Sequence, residues 1–192
     1  MTTDRIRLPW SFAWLNTTQF LGALNDNVFK LFLVYALIAL KGPDAAANAG
    51  ALGIVLLAVP FLLFSAVAGI LADRVSKKRV IVFAKLAEVC AMALGVAAFA
   101  MRSIPLLCVV MFLMAAQSAF FGPAKYGILP ELVGRERLSK ANGLLQAFTY
   151  LAIIIGTVLA PFLSEMCSRN YVITTIFCLG FAVVGVATSL PI

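Results

Sequence analysis

Gly69-Ile70-Leu71-Ala72-Asp73-Arg74-Val75-Ser76-Lys77-Lys78-Arg79-Val80-Ile81 closes one long apolar run and opens the next, with one acid and four bases packed into the seven residues from Asp73 to Arg79. An apolar run that stops so abruptly at charge is the pattern of a helix leaving a hydrocarbon layer, because ionised side chains become costly with depth. Lysines and arginines at such a point anchor the loop to anionic headgroups.

Working outward from this loop, the same pattern recurs along the chain. The composition is 63% apolar and 12% charged, with a mean hydropathy of +1.04, outside the range of water-soluble domains. A helix crosses the ~30 Å hydrocarbon layer with about 20 residues. Runs of that length fall at Ser11–Leu40, Ala51–Ala72, Val80–Met101, Ile104–Tyr126, Ala141–Met166 and Tyr171–Leu190. They show no alternation of polar with apolar residues, so strands are excluded and helices are the only elements that satisfy their own backbone in lipid. The expected fold is therefore all-α: an integral membrane bundle of six transmembrane helices, with no soluble domain left over.

The loops alternate in charge. Arg5 and Arg7 precede the first span, Arg74, Lys77, Lys78 and Arg79 separate the second from the third, and Arg135, Arg137 and Lys140 separate the fourth from the fifth. The opposite side carries Lys41, Arg102 and Arg169. Nine against three places both termini of this segment in the cytoplasm by the positive-inside rule.

Composition also removes functions. The net charge of +7 is concentrated at span ends rather than on a soluble face, so nucleic acid is not the expected partner. The absence of histidine excludes serine-histidine and cysteine-histidine catalysis as well as histidine metal sites. Cys90, Cys108, Cys167 and Cys178 lie in or beside apolar runs without metal-ligand spacing. The first apolar run is too long for a signal peptide and lacks a small-residue cleavage site. No catalytic residue, metal or cofactor is implied.

Several spans carry residues that hydrocarbon does not tolerate. Asn16, Gln19, Asp26 and Lys30 share one face of the first span with Ala23, and Asp26 lies midway along it, where an aspartate costs about 2.5–3.5 kcal/mol unless it faces protein or water. A functional cavity accounts for the stripe; the plainer account is a local ion pair between Asp26 and Lys30. Gln117, Phe121 and Lys125 form a second stripe in the fourth span, and Asn142, Gln146 and Thr149 a third in the fifth, with Gly156 further along. Lys125 is near enough to a span end to snorkel. Lys85 and Glu88, three residues apart, read as a local pair within reach of the interface and outside the site. The second and sixth spans, nearly featureless, read as packing or lipid-facing walls.

The loop at Gly69–Ile81 resembles the signature loop of the major facilitator superfamily, GxLaDRxGRKxxl, with Ser76 where the family has its second glycine. On that resemblance Gly69 permits close helix approach, Asp73 meets a facing helix N-terminus or an arginine, and Arg74, Lys77 and Lys78 complete a conformational latch. Such transporter halves are often built from two three-helix units related by inverted symmetry, and the two most polar spans, the first and the fourth, are the pair that symmetry would equate. The stretches Gln19-Phe20-Leu21-Gly22-Ala23-Leu24-Asn25-Asp26-Asn27-Val28-Phe29-Lys30 and Gly122-Pro123-Ala124-Lys125-Tyr126-Gly127-Ile128-Leu129-Pro130-Glu131-Leu132, followed by Lys140-Ala141-Asn142-Gly143, resemble the bacterial lysophospholipid transporters. Gly156-Thr157-Val158-Leu159-Ala160-Pro161 is loosely similar to the superfamily's fifth-helix GxxxGP motif, with Ala160 in place of a glycine; close helix packing explains it as well.

That family has twelve spans and is also found fused to acyltransferase and acyl-ligase domains. The resemblance therefore implies an N-terminal six-helix half in the bacterial cytoplasmic membrane, with a C-terminal half expected beyond this segment. The implied substrate is a lysophospholipid such as lysophosphatidylethanolamine. It further implies a headgroup site drawn from Asp26, Asn25, Asn27, Lys30, Gln117, Lys125, Asn142 and Gln146, with Lys125 on the phosphate and Asp26 on the ammonium or hydroxyls. Two other readings stay open at the level of sequence: a proton-coupled porter of small solutes or drugs in which Asp26 titrates, and the membrane portion of a bifunctional phospholipid acyltransferase.

Overall fold

The computed structural model describes residues 8–42 and 46–192. Arg5 and Arg7, on which the charge count partly rests, lie outside them. Six helices are long and apolar enough to cross a membrane: α1 (Trp10–Lys41), α2 (Ala46–Arg74), α3 (Lys77–Ala100), α4 (Ile104–Val133), α5 (Leu138–Met166) and α6 (Tyr171–Ser189). A 3-10 turn at Arg135–Arg137 leads into α5. The chain is a multi-pass, all-α membrane protein, as its apolar runs indicate.

The largest departure from the expected helix bounds is at the end of α4. The fourth span continues past Tyr126 to Val133, through Gly127 and Pro130. Both residues read as terminators in water, but a membrane helix tolerates them where neighbours re-satisfy the backbone. Here Lys77, at the start of α3, lies against Gly127 and pairs with Glu131 at 2.8 Å. The helix instead ends at Gly134, whose φ of 72° is a conformation a side chain disfavours.

The helix pairing has a two-fold logic. α1 packs along α5 and α6, α2 packs chiefly along α4, and α3 lies between α4 and α6. Exchanging α1 with α4, α2 with α5 and α3 with α6 converts the α1–α5 contact into α4–α2 and the α1–α6 contact into α4–α3. This is the arrangement of two three-helix units in inverted repeat. α2 is the outlier in burial: Ile54, Leu62, Leu63 and Val67 on it are largely exposed. α6 is less of a wall than its sequence suggests, since Thr174, Thr175, Cys178 and Ala182 are fully buried.

Two apolar cores occupy opposite ends of the bundle. Phe12, Leu15, Ile81, Phe121, Leu129 and Leu145 pack at the end bearing Arg74–Arg79, here termed the basic end. Phe29, Phe32, Leu33, Met92, Met111 and Cys178 pack at the other. Between them, near mid-membrane, lies a layer of buried polar side chains that includes Gln19, Asn25, Lys85, Glu88 and Gln117.

Gly156 sets the closest approach of α5 to α1. A Cβ there would lie 3.1 Å from the Leu24 carbonyl oxygen and 3.1 Å from Asn27 Cβ, and a backbone carbonyl in a packed helix cannot yield as a flexible side chain can. Gly156→Val is expected to destabilise the protein by about 1–3 kcal/mol through overpacking, measured as a lowered midpoint of thermal unfolding in detergent.

Candidate functional site

Asp26 is 16 residues from Trp10 and 15 from Lys41, the midpoint of α1, so its carboxylate must find its partners inside the protein. It finds one on α4: Ser118 Oγ donates to Asp26 Oδ2 at 2.9 Å, and Gln117 Nε2 donates to Ser118 Oγ at 2.9 Å. The second carboxylate oxygen, Oδ1, is buried with no donor among the described residues, as are Gln117 Oε1, Asn25 Oδ1 and Gln19 Oε1. A polar atom shut away from water without a partner is costly, so these acceptors mark a place where water, a proton or a ligand group completes the bonding.

Lys30 does not neutralise Asp26. Its Nζ donates to Asn27 Oδ1 at 3.1 Å, Asn27 Nδ2 bonds back to the Ala23 carbonyl at 2.8 Å, and no Asp26–Lys30 ion pair is formed among the described residues. Asp26 therefore has no ion-pair partner among the described residues.

Lys125 lies one helical turn from Phe121 and two from Gln117 and Ser118 on α4. Its ammonium sits 5.8 Å from the centroid of the Phe121 ring and 4.7 Å from that of Tyr126, within cation–π range. It has no carboxylate partner among the described residues. Residue i−4 on a helix lies on the side toward its N-terminus, so the Phe121 contact holds the ammonium on the inward side of its own Cα. Snorkelling to the basic end would carry it the other way. Beside it, Gln146 of α5 donates to the Tyr126 hydroxyl at 3.2 Å. Asn142, one turn earlier, is half-buried. The stripes on α1, α4 and α5 thus converge, joined by Ser118 and Tyr126, two residues the sequence reading did not single out. Ser118 is inconspicuous because serine is common in membrane helices and its value depends on which helix faces it.

Asn25 goes elsewhere. It is fully buried, and its Nδ2 donates to Glu88 Oε1 on α3 at 2.9 Å. Glu88 also takes Lys85 Nζ on Oε2 at 2.6 Å. The local pairing of Lys85 with Glu88 is as expected from their spacing, but their reach to the interface is not: they are 2% and 1% exposed, and Glu88 lies 11 residues, or about 16 Å, into α3. They point into the bundle, where Gly22 of α1 and Gly185 of α6 leave room for the lysine. Spacing alone could not show this, because it defines a helix face and not the direction that face turns.

Gln117 also borders an apolar groove of about 940 Å³ between α2, α3 and α4, lined by Leu71, Phe83, Leu113 and Phe120 among others. The polar network and this groove meet at one side chain.

The signature loop is exposed. Asp73, Arg74 and Lys78 face outward, and only Lys77 is held, by Glu131. Gly69 does not serve close approach within this chain, since a Cβ built there meets nothing within 4 Å. Gly156 and the fully buried Ala160 do serve it, which accounts for the fifth-helix motif by packing.

Residues 15–192 match the model of the Major Facilitator Superfamily. The chain belongs to that superfamily. It is 35% identical over 171 residues to the lysophospholipid transporter LplT of Photorhabdus laumondii, covering 88% of this chain and 40% of that protein. Over 150 residues it is 35% identical to the LplT of Salmonella arizonae, covering 77% of this chain and 35% of the relative. Over 161 residues it is 34% identical to that of Salmonella paratyphi A, covering 81% and 37%. The chain thus spans about 40% or less of the length of these superfamily relatives.

The Lys85–Glu88 and Lys77–Glu131 ion pairs differ sharply in setting. Removing one partner of a buried pair strands a charge and costs about 3–5 kcal/mol, whereas an exposed pair contributes about 0–1 kcal/mol. Glu88→Ala is therefore expected to lower the unfolding midpoint severely and Glu131→Ala hardly at all, compared side by side in one detergent.

Proposed function

We propose that this chain is the N-terminal six-helix half of a transporter that moves lysophospholipids from the outer to the inner leaflet of a bacterial cytoplasmic membrane. The observation that carries the proposal is an acid and a base without ion-pair partners among the described residues, Asp26 at mid-membrane and Lys125 about two helical turns nearer the basic end. Asp26 holds one buried oxygen without a donor among the described residues, and Lys125 lies against the Phe121 and Tyr126 rings with no carboxylate partner among them. An acid and a base left open in this way suit a zwitterionic headgroup, with the phosphate on Lys125 and the ammonium on Asp26. The apolar groove beyond Gln117 offers the single acyl chain an environment like the bilayer itself. The names carried by the relatives, lysophospholipid transporters, support the same substrate.

The excess of basic residues at the loops beside Arg74–Arg79 and Arg135–Lys140 supports a cytoplasmic basic end. A C-terminal half, in keeping with the length of the relatives, completes the cleft and covers part of the outer face of α2. Alternating access is then a rocking of one half against the other. Asp73 and Arg74, exposed at the basic end, are free to meet that second half and stabilise one state.

One observation favours a second reading. The donorless Oδ1 of Asp26 is also where a proton would sit, as in a proton-coupled porter. Dependence of lysophospholipid uptake on a proton gradient separates the two.

In proteoliposomes containing the complete gene product, Asp26→Asn and Lys125→Ala are each expected to cut uptake of labelled lysophosphatidylethanolamine by at least about tenfold, the value of a lost charged hydrogen bond. Uptake unchanged in both variants would remove the proposed headgroup site. Asp73→Asn, acting on the latch, is expected to lower the maximal rate while leaving KM near that of the parent.

A further inference from the structure

Lys85, Glu88 and Asn25 do not line the groove, yet all three are at most 2% exposed. Each member reaches a different helix. Glu88 of α3 receives Lys85 on one carboxylate oxygen and Asn25 of α1 on the other. Lys85 runs between α1 and α6: a Cβ on Gly22 would overlap its ammonium, and one on Gly185 would lie 3.5 Å from its Cδ. Its ammonium also lies 5.0 Å from the centroid of the Phe121 ring on α4, the ring that Lys125 approaches to 5.8 Å.

The cluster therefore has two outputs. The first passes through Asn25 to the next residue. With 3.6 residues per turn, successive side chains on α1 point in fixed directions about 100° apart, so a hydrogen bond that pins Asn25 to α3 also sets the direction of Asp26 toward Ser118 on α4. The second passes through Phe121, whose ring is held against one ammonium and receives the other. Glu88 neutralises Lys85 and so limits the repulsion that Lys85 would exert on Lys125 across the shared ring.

We infer that Lys85, Glu88 and Asn25 are a positioning centre that holds Asp26 and Lys125 at the spacing and orientation a zwitterionic headgroup requires. This rests on the headgroup reading above and deepens it: Asn25 acts through Glu88 and does not touch the lipid. A buried ion pair is a poor device for stability alone, because well-packed apolar residues of similar size serve as well or better. Its geometry, which couples one residue on α1 to one ring on α4, is what apolar packing cannot reproduce.

That difference supplies the test. In the complete gene product, Lys85→Met with Glu88→Met removes both charges together and strands neither, leaving only the Asn25 amide without its acceptor, so the unfolding midpoint is expected to fall much less than in Glu88→Ala. Asn25→Leu leaves the ion pair intact and breaks only its link to α1, and it serves if the double variant does not fold. In either variant the ratio of KM values for lysophosphatidylethanolamine and the anionic lysophosphatidylglycerol is expected to change by about tenfold, one charged hydrogen bond's worth of discrimination, with the maximal rate less affected. A stable variant with an unchanged ratio would overturn the inference. If the parent transports neither lipid, the headgroup reading fails while the positional claim can still be decided. With the native cysteines replaced, the yield of a disulfide between Asp26→Cys and Ser118→Cys is expected to fall when Lys85 and Glu88 are both methionine. An unchanged yield would refute the claim.

Discussion

The constraint on which this molecule depends is the absence of water in the middle of a bilayer. Every polar side chain placed there must be satisfied by another part of the protein or by what the protein carries. The chain places Lys85, Glu88, Asn25, Gln117 and Gln19 there and meets part of the requirement by crossing between helices: α3 to α1, α4 to α1, and α1 to the Leu145 carbonyl of α5, while acceptors on Gln19, Asn25 and Gln117 stay without a donor among the described residues. The two apolar cores on either side contribute dispersion and shape. The polar layer determines which helix faces which.

The inverted repeat gives that layer its economy. α1 and α4 are equivalent under the exchange of the two three-helix units, and each lies along one long partner from the other unit. The two helices richest in polar residues are therefore brought to equivalent positions and joined by the hydrogen bond from Ser118 on one to Asp26 on the other. Small residues make the approach possible where it is closest, at Gly156 against α1 and at Gly22 and Gly185 around the Lys85 side chain. Gly95 of α3 admits the Phe29 ring in the same way, whereas α2 leaves most of its apolar surface outward.

Much of this was legible beforehand because hydrocarbon imposes a simple rule on sequence. Six apolar runs of sufficient length gave six helices. The mid-span position of Asp26 marked it as a residue with a partner to find, and the four-residue step from Gln117 to Phe121 to Lys125 did place these residues along one inward face. The end of the fourth span was less legible, since the apolar run reads as stopping at Tyr126 while α4 continues through Gly127 and Pro130 to Val133. Lys85 and Glu88 misled more: a lysine six residues from a loop has the length to reach the interface, and only the presence of glycines on two other helices admits it to the core.

Hydropathy and charge determined the class of the protein, the number and approximate extent of its helices, and the residues too polar to face lipid, because the cost of burying a charge in hydrocarbon depends on depth along one helix and can be read from one helix. Tertiary structure alone decided the partners: that Asn25 serves Glu88 while its neighbour Asp26 serves Ser118, that Lys30 turns to Asn27, and that one phenylalanine receives two ammonium groups. These are properties of azimuth and of contact between segments as many as 92 residues apart, and periodicity along a single helix carries no information about which neighbour its face will meet.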